Sequence, residues 1–271
     1  MTQLAVAVSG GVDSLCALLR LREQGHDVLA LHGLFLPDAA SSGLRPAPEG
    51  PRLLTAAEAL AAPLPPASRQ AVEGLQTACG QLGIPLHVAD MRAVFDREVV
   101  TPFVRAYARG RTPNPCALCN RAIKFGALLD AALSLGADRI ATGHYARLLD
   151  GPAGPVLAAA DDLAKDQSYF LSLVPLERLR RAVFPLARQD KAASIAQVKD
   201  AGLAVPVPQE SQEICFIDSG DNYKDFLARR GVKPQEGDFT DAAGNILGRH
   251  RGITHYTIGQ RKGLGIALGK P

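Results

Sequence analysis

No stretch of this 271-residue chain reaches the roughly 18 consecutive apolar residues that a membrane-spanning helix needs. The first apolar run, Leu4 to Val8, has no basic residue ahead of it and is too short for a secretory signal. Both absences set the expectation of a cytoplasmic chain without membrane contact. Five cysteines, an odd number in a chain this long, argue against a secreted disulfide scaffold and towards reactive thiols or metal ligands. Neither sign of charge is in large excess: 30 Lys and Arg face 27 Asp and Glu, a net of +3. That balance permits a nucleic-acid partner without requiring one. There is no internal repeat. Hydrophobic residues at 47% and charged residues at 21% are ordinary for a globular protein.

The residues present are most telling at the amino end, in Leu4-Ala-Val-Ala-Val-Ser-Gly-Gly-Val-Asp-Ser14. Apolar, partly β-branched residues predict a strand buried on both faces. Gly10 and Gly11 allow close backbone approach to a ligand, since neither carries a Cβ. Ser9, Asp13 and Ser14 are candidate caps for the helix that follows, whose amides and dipole favour an anion. The run lacks the Gly-Lys-Ser/Thr of the Walker loop and the spacing of the dinucleotide fingerprint. It reads as a different kind of phosphate cradle.

Downstream, Leu15 to Gln24 repeats apolar residues at helical spacing and stops at Gly25, and His26 to Leu36 reads as a second strand. Strand, helix and strand in about 35 residues form one parallel unit. Seven prolines between Pro37 and Pro66 predict a surface excursion over 37–66, with a short helix near Leu53 to Ala62. Helices follow over Ala71 to Leu82, Val94 to Arg109 (with Pro102 as a possible interruption) and Ile123 to Leu135. Strands follow over Pro85 to Ala89 and Arg139 to Thr142. This alternation predicts a doubly wound α/β sheet with its ligand at the carboxyl ends of the strands. Pro206 and Pro208 mark a change of character, so the expected domains are 1–205 and a small, mostly β domain over 206–271.

Two thiols three residues apart lie in Arg111-Thr-Pro-Asn-Pro-Cys-Ala-Leu-Cys-Asn120, expected just before a helix, whose dipole would favour thiolate. Cys215 follows a polar segment, inside a short apolar, strand-like piece. Cys16 and Cys79 fall on apolar helix faces and are assigned to the core.

Six blocks then carry a resemblance to the tRNA-specific 2-thiouridylases, within the ATP pyrophosphatases that share the Ser9–Ser14 type of loop. They are Ser9-Gly-Gly-Val-Asp-Ser14; Thr112-Pro-Asn-Pro115 with Cys119-Asn-Arg-Ala-Ile-Lys-Phe125; Ala141-Thr-Gly-His-Tyr145; Lys165-Asp-Gln-Ser-Tyr-Phe-Leu171; Ile214-Cys-Phe-Ile217; and Tyr256-Thr-Ile-Gly-Gln-Arg-Lys-Gly-Leu-Gly265. The resemblance implies an adenine nucleotide alpha hydrolase fold and transfer of AMP to the C2 oxygen of the tRNA wobble uridine, with sulfur then displacing AMP. ATP and Mg2+ are the implied cofactors. Ala7, Val8, Ser9, Gly10, Gly11, Val12, Asp13, Ser14, Leu36 and Gly143 would hold ATP. Asn114, Pro115 and Cys116 would face the uridine, and His144, Lys165, Asp166 and Gln167 would contact tRNA. Cys215 would carry a persulfide and Cys119 would resolve the resulting disulfide or release sulfur. The implied partners are tRNAs for Lys, Glu and Gln and a sulfur donor, either a cysteine desulfurase relay or free sulfide.

The chain also departs from that pattern. Cys116 stands where some members have aspartate, so Cys116, Cys119 and Cys215 could instead hold a 4Fe–4S cluster with an open position for sulfide. Leu36 replaces the usual methionine. The chain stops where the family continues into a C-terminal β-barrel, and weak tRNA affinity is expected. Two other readings share the loop: an amidating pyrophosphatase, which would not need placed thiols, and a non-catalytic nucleotide- or metal-binding fragment.

Overall fold

The computed structural model describes residues 2–35, 50–152, 154–207, 214–217 and 220–266. They divide into two compact units, Met1–Glu98 with Cys116–Gln212, and Val99–Pro115 with Glu213–Pro271.

The first unit opens with β1 (Gln3–Ala7), α1 (Val12–Glu23) and β2 (Asp27–Leu34). It continues through β3 (Arg52–Thr55), α2 (Ala56–Ala61), α3 (Pro66–Leu82), β4 (Leu86–Asp90) and α4 (Arg92–Phe95). A π-helical turn over Asp96–Val100 leads into α5 (Thr101–Ala108), which belongs to the second unit. The first unit resumes with α6 (Pro115–Cys119), a second π-helical stretch over Asn120–Ala127, α7 (Leu128–Ser134) and β5 (Arg139–Thr142). A ribbon of β6 (Arg147–Gly151) and β7 (Gly154–Ala158), short helices α8 (Ser168–Leu171) and α9 (Leu176–Leu179), β8 (Ala182–Val183) and α10 (Lys191–Asp200) complete it.

Six of these strands form one sheet in the order β3-β4-β2-β1-β5-β8, parallel except for β3 against β4. The period-two geometry of β1 sends Leu4, Val6 and Val8 into a core with Leu15, Leu18, Leu75 and Val198. Ala5 faces the opposite core, with Leu29, Leu31, Phe125, Leu129 and Ile140. Chain order runs outward from β1 through β2 and β4 on one side, then through β5 and β8 on the other. The carboxyl ends of β1 and β5 therefore flank the switch point, where doubly wound sheets bind ligands.

Several boundaries differ from expectation, each for a local reason. Part of the proline-rich excursion is ordered: Arg52–Thr55 pairs antiparallel with β4, and the expected helix starts only at Ala56. Thr55 accepts from the Glu58 amide while the Glu58 carboxylate accepts from Thr55, a capping box. Pro66 does not delay α3 but starts it, since the first helical position needs no N–H. Pro102 sits at the second position of α5, directly after a π turn that absorbs the irregularity. Leu36 and residues 37–49 lie outside the described residues.

The second unit comprises α5, α11 (Tyr223–Arg229), a ribbon of β9 (Gly237–Thr240) and β10 (Ile246–His250), and a 3-10 turn over Ile253–His255. Phe103 is fully buried and meets Tyr107, Phe216 and Phe226 edge-on at ring centroids of 5.0, 5.2 and 6.1 Å. Among the described residues, no helix is long and apolar enough to cross a membrane.

Candidate functional site

At the end of β1 the chain turns through Gly10, whose φ of +89° favours glycine. A Cβ there would also stand 3.2 Å from Val207 Cγ2, because the 206–207 segment lies over the loop and Val207 N–H donates to the Gly10 carbonyl (3.1 Å). Gly11, extended at φ −82° and ψ 161°, is the N-cap of α1 and makes no side-chain cap bond. The expected caps therefore act otherwise. Ser14 turns back, donating to the Gly11 carbonyl (2.9 Å) and accepting from the Ser9 amide (3.1 Å). Asp13 sits in the first turn, where the dipole favours a carboxylate. The bend is closed on itself while the opening amides of α1 have no carbonyl above them in the helix.

Gly143, just past β5, explains how α1 approaches the sheet. A Cβ on Gly143 would lie 2.8 Å from the Asp13 carbonyl carbon and 2.9 Å from the Ser14 amide nitrogen. Glycine here seats the first turn of α1 against the end of β5, at the switch point.

Asp13 then gathers partners that no local motif announces. Lys191 Nζ lies 2.7 Å from both carboxylate oxygens. The Tyr145 hydroxyl donates to Oδ1 at 2.9 Å and has Ser194 Oγ 2.9 Å away on its other side. Burial, with the neighbouring Asp13 charge, holds the Tyr145 phenol well above its ordinary value, so it stays protonated. The Tyr145 backbone is bound twice by Gln167: Gln167 N–H donates to its carbonyl (2.8 Å) and Gln167 Oε1 accepts its amide (3.1 Å). Asp166 accepts from the Ala160 amide (2.9 Å) and the Ser168 hydroxyl (2.7 Å). Burial pushes the Asp166 carboxyl up, but these bonds outweigh it and leave it below its usual value. The Asp-Gln pair expected to touch tRNA thus points its hydrogen bonds inward.

His144 is also inside, 7% exposed, near the rings of Phe125 and Phe184. Lys124 Nζ lies 3.2 Å from its Nε2. An ammonium can only donate, so Nε2 accepts and Nδ1 carries the proton, donating to Thr142 Oγ1 at 2.8 Å. Burial first, and Lys124 second, hold this imidazole well below its ordinary pKa. A neutral, enclosed ring offers no face to RNA in this conformation.

The helix expected to follow the cysteine pair instead contains it, since Pro115 occupies its first turn and α6 runs to Cys119. Cys116 is exposed, Cys119 partly so, and Asn120 is buried with its Nδ2 donating to the Phe170 carbonyl (2.9 Å). In the second unit, Cys215 is exposed on a turn rather than a strand, and neighbouring Phe216 anchors that turn against Phe103 and Phe226. Cys16 and Cys79 are buried in the core, and burial raises both thiols, Cys79 to about 11. Among the described residues, no group of three or more His, Cys, Asp or Glu could hold a metal ion.

A parallel sheet with a glycine turn at its switch point places the first unit in the HUP class of α/β domains. Residues 2–219 match the family described as the tRNA methyl transferase HUP domain, and residues 224–271 its PRC-barrel domain. The chain is 45% identical to the tRNA-specific 2-thiouridylase MnmA of Nitratidesulfovibrio vulgaris (Miyazaki F), over 99% of this chain and 71% of that protein. It is 46% identical to the protein of that name from Oleidesulfovibrio alaskensis, over 99% and 70%, and 42% identical to that from Mycobacteroides abscessus, over 97% and 68%. This chain belongs to the tRNA-specific 2-thiouridylase family. A solved structure of the U34-tRNA thiolase NcsA from Methanococcus maripaludis, with its [4Fe-4S] cluster, aligns at TM-score 0.44 and 14% identity, over 84% of this chain and 65% of that one.

Proposed function

We propose that this chain thiolates C2 of the wobble uridine in tRNA, using ATP bound at the Ser9–Ser14 loop. The observation that carries the reading is the closed glycine turn at the switch point, with the first turn of α1 seated on Gly143, in a member of this family. The domains 1–205 and 206–271 would act as the adenylation unit and a smaller RNA-facing partner. Ala7 to Ser14, with Leu36 and Gly143, would surround the nucleotide.

The C2 oxygen attacks the α-phosphorus, the bond to the β-phosphate breaks, and pyrophosphate leaves with the electron pair. The terminal sulfur of a Cys215 persulfide then attacks C2, and AMP departs with the former C2 oxygen. Cys119 thiolate attacks Cys215 Sγ, releasing 2-thiouridine and leaving a Cys119–Cys215 disulfide, which an external dithiol reduces by two electrons. The persulfide is supplied by a sulfur donor such as a cysteine desulfurase relay. Exposure favours these thiols over Cys16 and Cys79, which burial keeps protonated. Asp13 would hold Mg2+, which takes one or two carboxylates together with phosphate oxygens and neutralises phosphate charge when bound. Asn114, Pro115 and Cys116 would face the uridine, and Lys165 would meet the RNA backbone beside the inward-bonded Asp166 and Gln167.

The test supplies the protein with ATP, Mg2+, a persulfide donor and unmodified lysine tRNA under anaerobic conditions. Mass spectrometry of digested nucleosides should show 2-thiouridine, and Cys215→Ser should abolish it while pyrophosphate release persists. Undiminished product from Cys215→Ser would overturn the assigned nucleophile, and absence of product from the unaltered chain would overturn the thiolation reading.

A further inference from the structure

Lys191 is the first residue of α10, at the end of a helix where the dipole disfavours a cation. Asp190 before it already caps that helix by accepting the Ala193 amide at 2.7 Å. Helix formation therefore does not call for a lysine there. Nor does Asp13 depend on it: Asp13 has the Tyr145 hydroxyl as a donor and a favourable place in the first turn of α1. The Lys191 and Asp13 side chains are 19% and 26% exposed, and partly exposed ion pairs contribute little to stability. A cation at the wrong helix end, directed at the nucleotide loop, is a local conflict of the kind found at functional sites.

We propose that Lys191 is the residue that receives the leaving pyrophosphate. This rests on the adenylation reading above. In the structure the ammonium rests on Asp13, 2.7 Å from each oxygen. Lysine is a compact charge with three donors on a flexible four-carbon stem, so it can turn from a carboxylate to a nearby phosphate without moving its helix. ATP brings its β- and γ-phosphates to the loop, and Lys191 exchanges Asp13 for their oxygens. Tyr145, buried and fixed by Gln167, keeps Asp13 oriented during the exchange. When the bond between the α-phosphorus and the bridging oxygen breaks, the electron pair stays on pyrophosphate and Lys191 stabilises that charge, with no proton transferred.

The assignment is tested by calorimetric binding of inorganic pyrophosphate and of AMP, each with Mg2+, to the unaltered chain, Lys191→Met and Lys191→Gln. AMP lacks the phosphates that Lys191 would hold. Loss of a charge-assisted contact should weaken pyrophosphate binding about ten- to hundred-fold, with AMP binding within about twofold of the unaltered chain. Lys191→Gln keeps a donor for Asp13 and guards against a folding defect in Lys191→Met. Equal weakening of both ligands in Lys191→Gln, or pyrophosphate binding unchanged from the unaltered chain, overturns the assignment. An unaltered chain that binds neither AMP nor pyrophosphate overturns the adenylation reading together with it.

Discussion

The two units of this chain are held together by different means. The first builds its cores mainly from Leu, Val, Ile and Ala on both faces of a sheet. The second comprises 76 residues, 99–115 and 213–271, and contains seven of the chain's 14 aromatic side chains. A small unit buries a smaller fraction of its surface, and rings bury the most area per residue. Charge divides as well. The second unit has twelve Lys and Arg against seven Asp and Glu, a net of +5, which leaves the first with 18 against 20, a net of −2. The whole-chain figure of +3 averages this away. The long-range field of the second unit is therefore positive.

The sharpest way to break the comparison is to remove the ring at the centre of the aromatic cluster. Phe103→Ala should destabilise the second unit by about 3–5 kcal/mol, read as lowered hydrogen-exchange protection across α5 and α11. A cost below about 1 kcal/mol would show that the rings are not what holds it. Next in size is Gly143→Ala in the first unit. Its added methyl meets backbone rather than a movable side chain, so about 1–3 kcal/mol of stability should be lost together with nucleotide affinity. An alanine variant with unchanged melting temperature and ATP binding would show that α1 can withdraw from β5.

The smallest effect is a pH dependence. Burial lowers the pKa values of His32 and His144, both in the first unit. The unfolded chain therefore binds protons on these side chains more readily than the folded one. Stability contributed this way is complete above about pH 6.5, the unfolded value. It declines as pH falls towards the folded values, by at most about 1.4 kcal/mol per pH unit for each histidine. Urea midpoints between pH 7 and pH 5 should fall, and His144→Gln should fall less steeply. Parallel curves for the two proteins would mean that His144 binds protons equally in the folded and the unfolded chain, against the burial argument.

How far the sequence could be read depended on how local each cause is. Strands β1, β2, β4 and β5 announce themselves as short apolar runs, and Gly25 and Gly136 end their helices with positive φ. The glycine turn, Gly143 and the core placement of Cys16 and Cys79 were legible for the same reason. Pro115 misled because proline reads as a break, although the first turn of a helix accommodates it. The Thr55–Glu58 capping box is a local signal masked by the prolines around it. Lys191 carried no sequence signal. Its partner Asp13 is 178 residues away, and only the folded sheet brings the two together. The membership of α5 in the second unit was hidden likewise, since rings more than a hundred residues downstream decide it.

The Tyr145 hydroxyl has a single proton, with an oxygen on either side at 2.9 Å, Asp13 Oδ1 and Ser194 Oγ. Ser194 Oγ also lies 3.2 Å from the Asp190 carbonyl. With Asp13 accepting, the phenol proton points to the loop and the serine is free to donate to the phenol oxygen. In the opposite sense the phenol proton points to Ser194, whose own proton then has the Asp190 carbonyl as its acceptor. The two hydroxyls form a wire with only two polarities. That wire joins Asp13 to the cap of the helix that carries Lys191.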